Sequence, residues 1–336
     1  MKNSEATKKF MEIYKRQEMN LRVFSQCASY LNYTPCAMDK ENMEQITGGV
    51  KALEEKSFAI FLSSIFCKNE NEANLFLEEY YVKGVKKLNQ DEYKNDPYYK
   101  NIKIPSKQIG KWTLGVQKYK PYEAFIYRDI IREDFVEIPQ IGFFDKEFSF
   151  PTVYENGTEW MAIKPNEIET MKKPAQNACG SVLVFGLGLG YFPYIISLKE
   201  QVTSITIVER DESVIELFES YILPQFENKQ KIRVIKSDAF EYAENKMSNE
   251  DYDYVFTDLW HDVSDGVSLY VKMKKQEHLL PNAKFDYWIE KSLLSVVRVN
   301  LLDGIYEKIS KEENVNLSLV SSITEDESLA GLIKFL

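Results

Sequence analysis

Ser181-Val-Leu-Val-Phe-Gly-Leu-Gly-Leu-Gly190, followed by Ile205-Thr-Ile-Val-Glu-Arg-Asp211, decides the fold. The first stretch is a short apolar strand that runs into a loop with glycine at 186, 188 and 190. The second is another apolar strand that ends on a carboxylate, Glu209. A strand, a glycine turn, a helix and an acid at the tip of the next strand form the arrangement by which an α/β sheet holds an adenosyl group. Glycine lets the backbone approach the ligand closely. An ionised carboxylate only accepts hydrogen bonds, which suits the two hydroxyls of a ribose.

Outward from this point the alternation is regular. Strands are predicted at 181–186, 203–209, 231–236 and 252–258, with helices at about 191–200, 211–225 and 239–247. Strands and helices in this order imply parallel βαβ units and a doubly wound α/β sheet. Upstream, Phe148 to Ile163 reads as a β-hairpin with Asn156-Gly157 at its tip, a strong two-residue turn signal. Pro165 to Met171 opens a further helix. Before residue 145 the texture is helical, with segments at 4–32, 50–67 and 71–90 and another at 121–131 that opens with Pro121. The reading therefore divides the chain into a mainly helical N-terminal domain, 1–145, and a Rossmann-like domain, 146–336. It expects a long helical stretch over 265–311 and no fifth strand before about 315–320.

In a sheet of this kind ligands lie beyond the carboxyl ends of the strands, and each strand here ends in a chemical group. The first ends in the glycine loop, the second in Glu209, the third in Asp238 and the fourth in Asp258, with Leu259-Trp-His-Asp262 behind it. Singly each is a weak signal, since an Asp after a strand is more often a helix N-cap than a ligand contact. Four tips in the right order make a stronger one. A dinucleotide site places its third small residue at 191, where this chain has Tyr191, and a Walker lysine is absent.

The Gly-x-Gly-x-Gly form resembles motif I of class I S-adenosylmethionine-dependent methyltransferases. The resemblance covers about residues 180–262. It implies that Gly186, Gly188 and Gly190 form the cofactor loop, that Glu209 holds the ribose, that Asp238 accepts from the adenine amino group and that the Ala239 backbone faces the adenine ring. More narrowly, the preceding hairpin, Val208-Glu-Arg-Asp211 and Ser237-Asp-Ala-Phe-Glu241 resemble the spermidine synthase branch. There Asp258 takes the place of the aspartate that deprotonates the amine. Aminopropyltransferases usually carry an acid in the glycine loop where this chain has Leu189, and Asp258-Leu-Trp-His-Asp262 replaces their D-S-S-D-P stretch.

The reading expects S-adenosylmethionine as cofactor and methyl transfer to a small-molecule substrate. The alternatives are aminopropyl transfer and a catalytically silent nucleoside-binding module. Asp258, His261 and Asp262 are the candidate bases, and Glu167 is an acid able to fold over the amino-acid end of the cofactor. No metal is expected, because no His, Cys or Asp cluster has ligand spacing.

The bulk numbers narrow the class. A formal net charge of -10 and a pI of about 5.1 disfavour a nucleic-acid partner. Cys27, Cys36, Cys67 and Cys179 show no disulfide or metal spacing and read as reduced thiols of a cytoplasmic protein. No run approaches a membrane span. Tyr80, Tyr81, Tyr98 and Tyr99 read as core packing or a homodimer interface rather than a substrate wall.

Overall fold

The computed structural model describes residues 5–311 except Lys68. Its centre is a five-stranded parallel sheet of Gly180–Phe185, Val202–Glu209, Ile232–Lys236, Tyr254–Thr257 and Lys284–Tyr287. In space the order is Ile232–Lys236, Val202–Glu209, Gly180–Phe185, Tyr254–Thr257, Lys284–Tyr287, every neighbour pair being parallel. The chain winds outward from Gly180–Phe185 in one direction, then returns to its other side at Tyr254. This reversal opens a crevice between the glycine loop and the tip of Tyr254–Thr257, the place where doubly wound sheets take ligands. The inner strands are mostly apolar, as befits strands covered on both faces. Val182, Leu183, Ile205, Ile207 and Val255 are fully buried.

The hairpin forms as its sequence requires. Phe148–Glu155 and Thr158–Ala162 pair antiparallel, turning at Asn156 (φ 50°) and Gly157 (φ 85°). It belongs to a four-stranded antiparallel sheet with Lys107–Ile109 and Trp112–Tyr119. That sheet stands over the carboxyl ends of the parallel strands, joined there by the Trp112 indole N–H, which donates to Asp211 at 3.0 Å.

The N-terminal region packs around its first helix, Glu5–Tyr33. Tyr80 and Tyr81 are fully buried in this layer, and Tyr98 lies against the glycine loop, so all three serve packing. Arg298 of the helix Glu290–Ser310 makes a buried ion pair with Glu137. Glu137 also accepts from Gln17 at 3.3 Å and Ser295 at 2.5 Å, the further hydrogen bonds that a buried pair needs to offset its desolvation. Among the described residues no helix is long and apolar enough to cross a membrane.

Three expectations are corrected. Residues 121–131 are not a helix. Their amides are drawn to distant carbonyls: Tyr122 N–H to Phe144, Ala124 N–H to Pro35 and Tyr127 N–H to Gln140. Asp129 then caps the helix Glu290–Ser310 from outside, accepting from the amides of Lys291 and Ser292 at 3.0 and 3.1 Å. The stretch 265–311 is not one helical run either. It holds the helix Val263–Lys274, the fifth strand Lys284–Tyr287 and the helix Glu290–Ser310. The strand is fixed from its side chains, since Asp286 accepts from Tyr254 at 2.6 Å and Asn177 at 2.7 Å. Finally, 71–90 ends early, and Val85–Lys87 is a strand parallel to Ile141–Phe143. The strand expected at 315–320 lies outside the described residues.

Candidate active site

A cavity of about 610 Å³ lies over the crevice, within the range of small-molecule sites. The strand tips form its floor, the hairpin sheet its roof and the first turn of the helix Pro165–Asn177 one wall.

The glycine loop fits too closely for any side chain at 186. Gly186 has φ 94°, and a Cβ there would lie 1.9 Å from the Asp258 carbonyl oxygen. The loop is thereby pressed against the neighbouring strand tip. Gly188 lines the cavity, but Gly190 does not. Gly190 precedes the helix Tyr191–Ser197 with φ 71°, and a Cβ would meet the Phe218 ring at 2.5 Å. Its role is packing rather than the expected ligand contact. From behind, the buried Tyr98 hydroxyl donates to the Leu189 carbonyl at 2.5 Å. Tyr191 donates to Asp96 at 2.9 Å. The segment 96–99 thus braces the loop, a role that no sequence motif marks.

Two of the acids facing the cavity are filled by backbone amides. Glu209 Oε1 accepts from the N–H groups of Arg210 and Asp211, both at 2.8 Å, and Oε2 accepts from Leu187 at 3.3 Å. Burial raises the Glu209 carboxyl, and the three amides work against that rise. Asp238 caps the helix Ala239–Asn245, accepting from Phe240 and Glu241 at 2.9 and 3.1 Å. Asp238 is therefore a cap and a cavity residue together, with Ala239 beside it. Each carboxylate keeps lone pairs for hydroxyl or amino donors. This donor set, with the glycine loop between, fits a nucleoside.

Acids at the rim are paired with lysines. Lys111 reaches Glu155 at 2.5 Å and Asp211 at 3.9 Å, and Lys164 pairs with Glu159.

Asp258 and Glu167 are different. No side-chain hydrogen bond or ion pair engages either carboxylate among the described residues. Desolvation pushes the Asp258 carboxyl up to about 7. Glu167 is raised well above its ordinary value, first by burial and then by the Asp258 charge. An acid poised near 7 in a cavity suits proton transfer at neutral pH.

The other two candidate bases separate. His261 lines the cavity mouth, half exposed, with its ring centroid 5.8 Å from that of Trp160. Asp262 does not line the cavity. It caps the helix Val263–Lys274 through Ser264 and Asp265 in a capping box. Its bond from Ser264 holds its carboxyl below the usual range, the wrong direction for a base at neutral pH. Asp262 is corrected from candidate base to helix cap. Among the described residues no group of His, Cys, Asp or Glu is arranged to hold a metal ion.

The fold and cavity together define a Rossmann-like sheet with an acid-lined cavity at its switch point. Residues 168–278 match the family described as the Spermine/spermidine synthase domain. The match runs from within the helix after the hairpin, through the glycine loop and the three acidic strand tips, to just beyond the helix that Asp262 caps. Among solved structures, the chain is similar to spermidine synthase from Thermotoga maritima, at 14% identity and a TM-score of 0.32. That alignment covers 49% of this chain and 59% of the other. No curated protein matches.

Proposed function

We propose that the protein is a transferase that moves an aminopropyl group from decarboxylated S-adenosylmethionine to an amine. The observation that carries this reading is Asp258, unpaired at the switch point of the sheet with its carboxyl near 7. The match of residues 168–278 to the Spermine/spermidine synthase domain supports it over the methyl transfer expected from Leu189.

A sulfonium donor supplies an electrophilic carbon, and displacement by an amine releases a neutral thioether. An amine is protonated at neutral pH and is no nucleophile until it loses that proton. Asp258 is the group that takes it, and no covalent intermediate on the protein is required. The remaining contribution is alignment, worth several orders of magnitude in rate. In this reading Glu209 and Asp238 hold the ribose and adenine, and the braced glycine loop fixes the nucleoside against the floor. A cation bound beside Asp258 and Glu167 favours their ionised forms.

Methyl transfer from intact S-adenosylmethionine remains the second reading, favoured by Leu189, which puts no acid into the glycine loop. The two differ in their by-product. Mass spectrometry after incubation with each donor and putrescine or spermidine decides between them. Aminopropylated amine with methylthioadenosine is expected. Methylated amine with S-adenosylhomocysteine would reverse the order.

A further inference from the structure

The chain has four tryptophans, and all four, Trp112, Trp160, Trp260 and Trp288, line the strand-tip cavity. Three of them are buried in its walls. The Trp112 and Trp288 indoles donate to Asp211 and Thr170, both at 3.0 Å, and the Trp260 ring packs on Gly266. Trp160, on the roof strand Thr158–Ala162, is 39% exposed. Its neighbours Trp112 and His261 meet it at 74° and 58°, so neither ring lies flat on it. His261 follows the Asp258 tip, which puts this corner on the reacting side of the cavity, away from Glu209 and Asp238. A lone exposed apolar residue needs no explanation. An indole left open at a cavity mouth, between two other rings, is a face on which a further ring can stack. Charge at the roof points the same way. Its acids that line the cavity, Glu155 and Glu159, are each paired, with Lys111 and Lys164. Arg210, which also lines the cavity, adds a positive charge. Asp262 lies 3.7 Å from His261 but does not line the cavity.

We infer that the Trp160–His261 corner is a subsite for a planar, uncharged ring carried by the acceptor, so that arylalkylamines, rather than linear polyamines, are the favoured acceptors. The inference rests on the proposed function and names its substrate class. A linear diamine or polyamine carries a second ammonium away from the reacting one. At this mouth that group would meet paired acids and an extra cation, and would lose its hydration without gaining a counter-ion. An aromatic ring has no such cost. It buries apolar area and gains offset or edge-to-face contact with Trp160 and His261. The chemical step is unchanged: an ammonium proton passes to Asp258, the nitrogen bonds to the propyl carbon, and the C–S bond breaks with its electron pair on the departing sulfur. Trp160 is thus a specificity residue that takes no part in that step.

The test is calorimetry on the full chain, on Trp160→Ala and on Trp160→Phe, with and without methylthioadenosine. The probes are phenethylamine and 4-phenylbutylamine, which differ in reach, with 2-cyclohexylethylamine and putrescine as the non-aromatic and linear comparisons. At least one arylalkylamine should bind the unaltered chain more tightly than putrescine and than the saturated ring. Trp160→Ala should weaken that ligand about tenfold, the worth of an aromatic contact and the area it buries, and leave putrescine and methylthioadenosine affinity unchanged. Trp160→Phe should restore most of the loss, which a general loosening of the roof would not allow. Should Trp160→Ala fail to fold, the ranking on the unaltered chain and the Trp160→Phe values still decide. Putrescine or the saturated ring binding as tightly as both arylalkylamines would overturn the subsite. So would equal losses for putrescine and the arylalkylamine, which would make Trp160 a face for a cation. Mass spectrometry with decarboxylated S-adenosylmethionine separates this inference from the reading beneath it. Transfer to putrescine in preference to either arylalkylamine would overturn the subsite and keep the proposed function. No aminopropyl transfer to any amine, with Trp160-dependent arylalkylamine binding intact, would sink the proposed function and leave the ring subsite standing.

Discussion

Glu209 and Asp258 sit at the tips of strands separated by a single strand of the sheet, both facing one cavity, yet the protein treats them differently. Glu209 is met by three backbone amides, which offset much of what burial does to it. Asp258 is met by none and is pushed up to about 7. Glu209 is thus a fixed acceptor, prepared before any ligand arrives. Asp258, beside Glu167, is a carboxyl without a hydrogen-bond partner, raised by burial. One half of the cavity is built to hold, the other to exchange protons, and the distinction lies in which carboxylates the backbone reaches.

This contrast is broken most severely at Asp258. Asp258→Asn should cut turnover by about 10²–10⁴-fold, the usual worth of a positioned base, while nucleoside binding measured by calorimetry stays near the unaltered value. A comparable loss in binding would make Asp258 a ligand contact rather than a base.

On the other half, Glu209→Ala should weaken nucleoside binding in a folded protein. Each hydrogen bond lost from a charged acceptor costs about 1.5–3 kcal/mol. Unchanged affinity would mean that the ribose is held elsewhere.

Charge also predicts a pH trend in stability. The Asp258 carboxyl is raised in the folded state, so the folded chain keeps a proton that the unfolded chain has released. Stability should therefore fall as pH rises from the ordinary carboxylate range through about 7. Thermal melts between pH 5 and 8 should show this fall, and Asp258→Asn should flatten it. A slope unaffected by the substitution would place the titration on another group.

The smallest effect belongs to Asp262. Asp262→Ala should remove a helix cap worth about 0.5–2 kcal/mol, seen as a lower melting temperature with little change in turnover. A large loss of turnover without a melting shift would return it to the catalytic group.

The same contrast explains what the sequence made legible. The parallel strands and their acidic tips are local patterns, apolar runs that end in a glycine or a carboxylate, and four of the five strands could be read. Lys284–Tyr287 was hidden because its partner is remote and Asp286 is tied to Tyr254 and Asn177. Residues 121–131 carried a helical pattern, but tertiary carbonyls claimed their amides. The positions of Glu209, Asp238 and Asp258 at the cavity were legible from their place after strands. Gly190 and Asp262 were misassigned because a packing glycine and a helix cap share the spelling of a ligand contact. Glu167 stood among acids over the cofactor end, but an acid in the first turn of a helix ordinarily reads as a match for the helix dipole. Only its burial beside Asp258 sets it apart. The Tyr98 brace on Leu189 spans 91 positions of chain, beyond the reach of any motif.

The account turns on the reacting half of the cavity being built for a cation, and a competition between the two donors tests that most directly. Calorimetric displacement of methylthioadenosine by decarboxylated and by intact S-adenosylmethionine measures the preference without requiring turnover. The decarboxylated donor should bind more tightly, because the carboxylate of the intact one enters a wall that already holds Glu167 and Asp258. Tighter binding of the intact donor would contradict the account and restore methyl transfer as the better reading.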